Sequence, residues 1–187
     1  MKVKLICIFG PPASGKNTIG RLLLKQIPNA HFLHNHALVD VVTELFDFKT
    51  TAAKNSIFAL RKHLLESFID VGEGVLITTQ VLDRNSKQYM VLYRNLFQQI
   101  KKSGNTSVIL DLHASKESLL KRSCNNDRRK YRNVSKDDVQ EYINRNYRLW
   151  NCDYQKEFLD SNVFSVDTDQ FNAESVVLTI MKELEKL

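Results

Sequence analysis

The sequence predicts an α/β protein built on one parallel sheet of five strands, with helices on both faces. Three observations predict it. Five short apolar runs, over 3–9, 30–34, 75–79, 107–112 and 163–167, have the length and composition of strands. Segments with apolar residues at helical spacing alternate with them, which is the order that makes a parallel sheet. The first run, Val3 to Phe9, is apolar at six of its seven positions, as a strand covered on both sides must be. A length of 187 residues suits one domain with a full core, and no repeat, low-complexity tract or linker divides it. The expectation is a single domain over 1–187.

Taken in order, the first strand leads into a helix that contains Ile19, Leu22 and Leu23. After the second strand, Leu38, Val41, Val42 and Leu45 predict a helix over 37–46. A longer helix over 53–71 carries Ile57, Leu60, Leu64, Leu65 and Phe68, and Gly72 and Gly74 end it. A helix over 89–102 follows the third strand, and Ser103-Gly104-Asn105 turns the chain into the fourth. Ser115 is placed to cap the next helix. Ser135, Asp137 and Asp138 resemble a capping box after the polar stretch 125–134, and a terminal helix is expected over 173–187.

The most informative stretch is Gly10-Pro11-Pro12-Ala13-Ser14-Gly15-Lys16, between the first strand and the first helix. Strand, glycine-bounded loop, lysine and helix form the layout of a phosphate-binding loop. Backbone N–H groups of such a loop curl around an anion, and the helix adds the positive end of its dipole. Lys16 then places a point charge on the outer phosphates. Asn17 stands where the motif normally has a magnesium-ligating hydroxyl, and its amide oxygen can take Mg²⁺ or one of its waters. Thr18 comes one place later and is assigned to an inner phosphate.

Composition sets bounds on the rest. Hydrophobic residues make up 43% and charged residues 26%, ordinary values for a globular chain. No stretch approaches the ~20 apolar residues of a membrane span, and the first residues lack the pattern of a secretory leader. Cys7, Cys124 and Cys152 are odd in number and have no metal-ligand spacing, so reduced thiols and a cytoplasmic setting are expected. The net charge of +6 is concentrated in Lys121, Arg122, Arg128, Arg129, Lys130 and Arg132. A local cluster of this kind fits a polyphosphate at least as well as a nucleic-acid backbone.

In parallel sheets ligands bind beyond the carboxyl ends of the strands. His34, Asn35, His36 and Asp40 follow the second strand and form the candidate acceptor site. Asp40 is the expected general base, with His36 as the alternative. The competing reading is that these groups cap the helix and bind loop backbone. Two histidines and an aspartate also suggest zinc, but no fourth ligand accompanies them. Arg61 is expected at the sheet's rim, where a guanidinium clamps a substrate anion, or else on the surface paired with Glu66. Thr79 and Gln80 end the third strand facing the acceptor, while Asp83 and Asp111 are weaker candidates for the metal side. The arginine-rich stretch after Arg122 is a candidate lid. Arg128 and Arg129 would close on the transferred group, and Arg122 would lie over the nucleotide base.

With these features in this order, the chain resembles the P-loop small-molecule kinases, which include nucleoside monophosphate, shikimate and gluconate kinases. The resemblance implies a three-layer fold with strand order 2-3-1-4-5, ATP as phosphoryl donor, Mg²⁺ as cofactor and a lid over about 124–135. Nucleoside monophosphate kinases often read Gly-Lys-Gly-Thr in the loop, so they too lack the hydroxyl after the lysine. Phe58, Arg61 and Glu66 are similar to the shikimate kinase segment whose arginine holds the substrate carboxylate. Phe32 to His36 followed by Asp40 resembles a group of kinase-like ATPases of unassigned substrate. Shikimate kinases, however, carry Asp-x-Asp after the second strand and Gly-Gly after the third. This chain reads His34-Asn35-His36 and Thr78-Thr79-Gln80 there, and it also lacks the Asp-Gly-x-Pro-Arg of adenylate kinases. The function expected is an ATP-dependent kinase of a small-molecule hydroxyl or phosphate acceptor. The alternatives are a kinase of nucleic-acid 5′ ends and an ATP-binding regulator.

Overall fold

The computed structural model describes residues 3–83, 85–124, 136–150 and 152–187. Strands β1 (Val3–Phe9), β2 (Ala30–Leu33), β3 (Val75–Gln80), β4 (Thr106–His113) and β5 (Asn162–Asp167) form one sheet in the order β2-β3-β1-β4-β5. Every pairing is parallel. Strand β1 is central, and Leu5, Ile6, Cys7, Ile8 and Phe9 are sealed from solvent on both faces, which is why that run is apolar without alternation.

Two layers of helix cover the sheet. On one face Ile19 and Leu23 of α1 (Lys16–Gln26) pack with Val176, Val177 and Ile180 of α8 (Ala173–Leu184) over Ile6, Ile8 and Leu110. On the other, Leu65 of α3 (Thr51–Val71) and Tyr93, Leu96 and Phe97 of α4 (Lys87–Lys102) meet Leu5, Cys7 and Phe9. Tyr154 of the short α7 (Tyr154–Glu157) completes that layer and donates to Leu82 O at 2.9 Å.

Helix α2 (Asn35–Thr43) packs on α3 through Leu38, Val42, Ala53 and Ile57. It starts two residues before the predicted position because two side chains satisfy its first N–H groups. Asn35 N donates to Thr79 Oγ1 at 3.0 Å, and Ala37 N donates to His34 Nδ1 at 3.2 Å. It also ends early, leaving Leu45 and Phe46 exposed. Helix α3 starts at Thr51 because Thr50 Oγ1 accepts from Ala53 N at 3.1 Å.

Helices α5 (Lys116–Ser123) and α6 (Lys136–Asn146), with a 3₁₀ turn over Tyr147–Trp150, lie at the carboxyl ends of β1 and β4. Leu119, Ile143 and Trp150 pack there with Ala13 and Ala114, so these helices rest on the loop after β1. Residues 125–135, with Arg128, Arg129 and Ser135, lie outside the described residues. Among the described residues no helix is long and apolar enough to cross a membrane.

Candidate active site

The loop from Gly10 to Gly15 leaves the end of the central strand and turns directly into α1. Its path depends on left-handed backbone at Ala13 (φ 71°) and Gly15 (φ 90°), the second being the residue that caps α1. Gly10 is required for a different reason. A Cβ there would lie 2.6 Å from Leu112 O and 2.9 Å from Ser14 Oγ. The loop is therefore pressed against the end of β4 with no room for a side chain.

Lys16 folds back over the loop, and its Nζ donates to Gly10 O at 2.9 Å and Pro11 O at 2.6 Å. Two oxygens beside it have unmet hydrogen-bonding capacity. Ser14 Oγ and Asn17 Oδ1 are both buried without a partner among the described residues. Orphaned buried polar atoms are costly and uncommon, and they mark where a ligand or water belongs. An amide oxygen is a hard donor of the kind Mg²⁺ takes, so Asn17 fits the role assigned to it from the sequence.

Thr79 Oγ1 accepts from the Asn35 backbone, which fixes the β2 exit against the β3 exit. Thr78 links the same two strands by donating from Oγ1 to Leu33 O at 3.0 Å. Gln80 donates through Nε2 to Val81 O at 3.1 Å, while its Oε1 is another buried oxygen with no partner among the described residues. His34 uses Nδ1 as the α2 cap, which needs the neutral ring. Burial, and then the charge of Arg21, hold its pKa below the ordinary value, against the opposing pull of Asp40. Asp40 and His36 are half-buried on α2, and the His36 ring lies 6.2 Å from that of His34.

The Arg61 guanidinium faces the carboxyl ends of β2 and β3, but from within the core. It occupies the buried stripe of α3 with Ala53, Ile57 and Leu65, and it is sealed from solvent. Its Nη1 donates to Thr78 Oγ1 at 3.1 Å and to Thr79 O at 3.3 Å, and its Nη2 donates to Asn35 Oδ1 at 2.7 Å. The pairing with Glu66 expected of a surface arginine is made instead by Lys62, at 3.8 Å. Burial raises the pKa of both Tyr89 and Tyr93 on α4, and the Arg61 charge offsets part of that rise.

On the β4–β5 side, Arg122 is held by Thr168 Oγ1 at 2.9 Å, Thr168 O at 2.7 Å and Asp169 Oδ1 at 3.0 Å. Asp169 also accepts from Ser115 N at 2.7 Å through its other oxygen. Arg122 is thus anchored at the carboxyl end of β5. Asp83 and Asp111 both have protein partners. Asp83 Oδ1 accepts from Asn85 N and Ser86 Oγ at 2.9 and 2.8 Å, and Asp111 Oδ2 lies 2.8 Å from His113 Nε2. The Asp111–His113 pair sits two residues apart on one strand face, a spacing visible in the sequence. Arg128 and Arg129 fall outside the described residues, so their expected place over the loop has no structural counterpart here.

No family model matches the chain, and no curated protein matches it in sequence. Solved structures match along nearly the whole length. A shikimate kinase from Acinetobacter baumannii, in complex with shikimate, is 15% identical with a TM-score of 0.61, covering 98% of this chain and 94% of its own. A sugar kinase from Janibacter sp. HTCC2649 is 13% identical with a TM-score of 0.60, with coverages of 98% and 95%. The tunicamycin resistance protein of Deinococcus radiodurans is 16% identical with a TM-score of 0.56, with coverages of 97% and 95%. At such identities the likeness shows the fold: an α/β P-loop kinase fold with a parallel sheet in the order 2-3-1-4-5.

Proposed function

We propose that the chain is an ATP-dependent phosphotransferase acting on a small-molecule acceptor. The observation that carries this reading is the junction at the end of β1. There a loop that admits no side chain at Gly10, a left-handed cap at Gly15 and Lys16 open helix α1. This is an anion cradle with a dipole and a point charge aimed at one place. The fold shared with solved kinases supports the same reading.

In this reading Gly10, Pro11, Pro12, Ala13, Ser14, Gly15, Lys16 and Thr18 hold the triphosphate, and Arg122 flanks the base. Asn17 Oδ1 takes magnesium or one of its waters; the cation, when bound, neutralises phosphate charge. Lys16 follows the charge as it develops on the transferred group, and Arg128 and Arg129 are assigned the same task from the lid. His34, His36, Thr79 and Gln80 border the acceptor, and Asp40 takes the proton of its hydroxyl. Three cysteines, odd in number and without metal-ligand spacing, suit a cytoplasmic setting.

The test is ADP release from Mg²⁺–ATP in the presence of pooled sugars, nucleosides, nucleotides, hydroxy acids and nucleoside antibiotics, with Lys16→Ala as blank. Stimulation by one pool, absent in the blank, supports the kinase. Lys16-dependent ATP binding with no pool stimulating turnover would favour an ATP-binding regulator instead.

A further inference from the structure

Resting on the kinase reading, we infer that Arg61 is a positioning residue and that Asn35 reads the acceptor. Asn35 presents its Nδ2 donors to a neutral oxygen of a hydroxylated, uncharged substrate. A guanidinium carries five N–H donors and no acceptor. At Arg61 the Nη1 and Nη2 donors go to Thr78 Oγ1, Thr79 O and Asn35 Oδ1, Nε has no partner among the described residues, and the residue is 0% exposed. Among the described residues no carboxylate pairs with it, although a buried charge ordinarily demands one.

The orientation of Asn35 then follows from chemistry alone. Arginine can only donate, so the amide must turn its oxygen toward Nη2 and its nitrogen away. The backbone of Asn35 is pinned by Thr79 Oγ1 at 3.0 Å, which fixes where the side chain starts. What remains is an –NH₂ group at the β2 exit, half-buried, with no partner among the described residues.

Aspartate at this position would answer the guanidinium better, since it would supply the missing counter-charge. Asparagine accepts the same hydrogen bond and keeps two donors that aspartate lacks. The chain therefore forgoes stability at a site where the donors have a use. The same geometry argues against an acidic acceptor. A ligand carboxylate would reach the Nη2 edge of Arg61 only by displacing Asn35, and the residue is sealed from solvent behind it. The place where a shikimate-type acid would be gripped is already filled by protein.

The experiment compares the full-length wild type with Asn35→Asp. The variant should melt about 4 °C or more above the wild type, because the guanidinium gains its counter-ion. The carboxylate so introduced should titrate below about pH 3 by NMR, well beneath the ordinary value near 3.9 and further than a helix N-terminus alone would take it. An unchanged or lower Tm, or titration near the ordinary value, would overturn the Arg61–Asn35 link. In a second arm, shikimate and its methyl ester are titrated in the presence of a non-hydrolysable ATP analogue. The account expects no advantage for the free acid, and shikimate binding tenfold or more tightly than the ester would overturn the acceptor class. Analogue binding to wild type and Lys16→Ala is measured alongside. Its failure to depend on Lys16 would sink the kinase reading while the Tm and titration still judge the link.

Discussion

Lys16 Nζ donates to the carbonyl of Pro11 at 2.6 Å, so the loop's only cation is tethered to the loop itself. A phosphate is a stronger partner than a carbonyl, because the hydrogen bond then joins two charges. Bound nucleotide should therefore draw the ammonium off the backbone. Lys16→Ala should weaken ATP roughly 10- to 100-fold, the value of one or two charge-assisted bonds, and leave Tm nearly unchanged. Calorimetric titration and a melting curve check both halves.

The two glycines Gly10 and Gly104 separate backbone strain from steric exclusion. Both have left-handed φ, 145° and 75°, but only Gly10 has neighbours where a Cβ would fall. Gly10→Ala should cost about 3 kcal/mol and abolish nucleotide binding. Gly104→Ala should cost about 1 kcal/mol and leave binding intact. Urea denaturation with an ATP titration on each variant reads the difference.

Two histidines should give pH dependences of opposite sign. His34 has a folded pKa below 6.5, so the folded state binds fewer protons than the unfolded chain. Its contribution is full above about pH 6.5 and is lost as pH falls through the folded value. His113 is raised, first by its hydrogen bond to Asp111, with burial opposing. Its contribution is present below about pH 6.5 and is lost as pH rises through the folded value. His113→Gln should therefore be less stable than wild type near pH 5.5 and converge with it toward about pH 8. His34→Asn, which keeps a capping side chain, should gain on the wild type only at the acid end. Tm against pH for the three proteins tests both signs.

Asp40→Asn should separate binding from chemistry. ATP affinity should stay within about twofold, while acceptor-stimulated turnover should fall roughly 100-fold or more, as expected for loss of a general base. Normal turnover would move the role to His36.

The sheet was legible because a strand buried on both faces must be apolar throughout, as β1 is from Leu5 to Phe9. The phosphate loop was legible because its glycines and lysine are adjacent in the chain. The start of α2 was not, since the hydroxyl that fixes Asn35 N comes from Thr79, 44 residues away. The burial of Arg61 was illegible for a subtler reason. Its neighbours at four-residue spacing, Ile57 and Leu65, point to the buried face, but an isolated arginine reads as surface. The 3₁₀ turn at Tyr147–Trp150 and helix α7 carry almost no periodic signal, and tertiary packing of Trp150 and Tyr154 holds them.

The most direct test of the central claim is ³¹P NMR of the products formed from Mg²⁺–ATP and pooled neutral sugars and nucleosides. The account predicts a new phosphomonoester resonance that matches the ADP formed and is absent with Lys16→Ala. ADP accompanied by an equal amount of inorganic phosphate, or ADP that forms without Lys16, would contradict it.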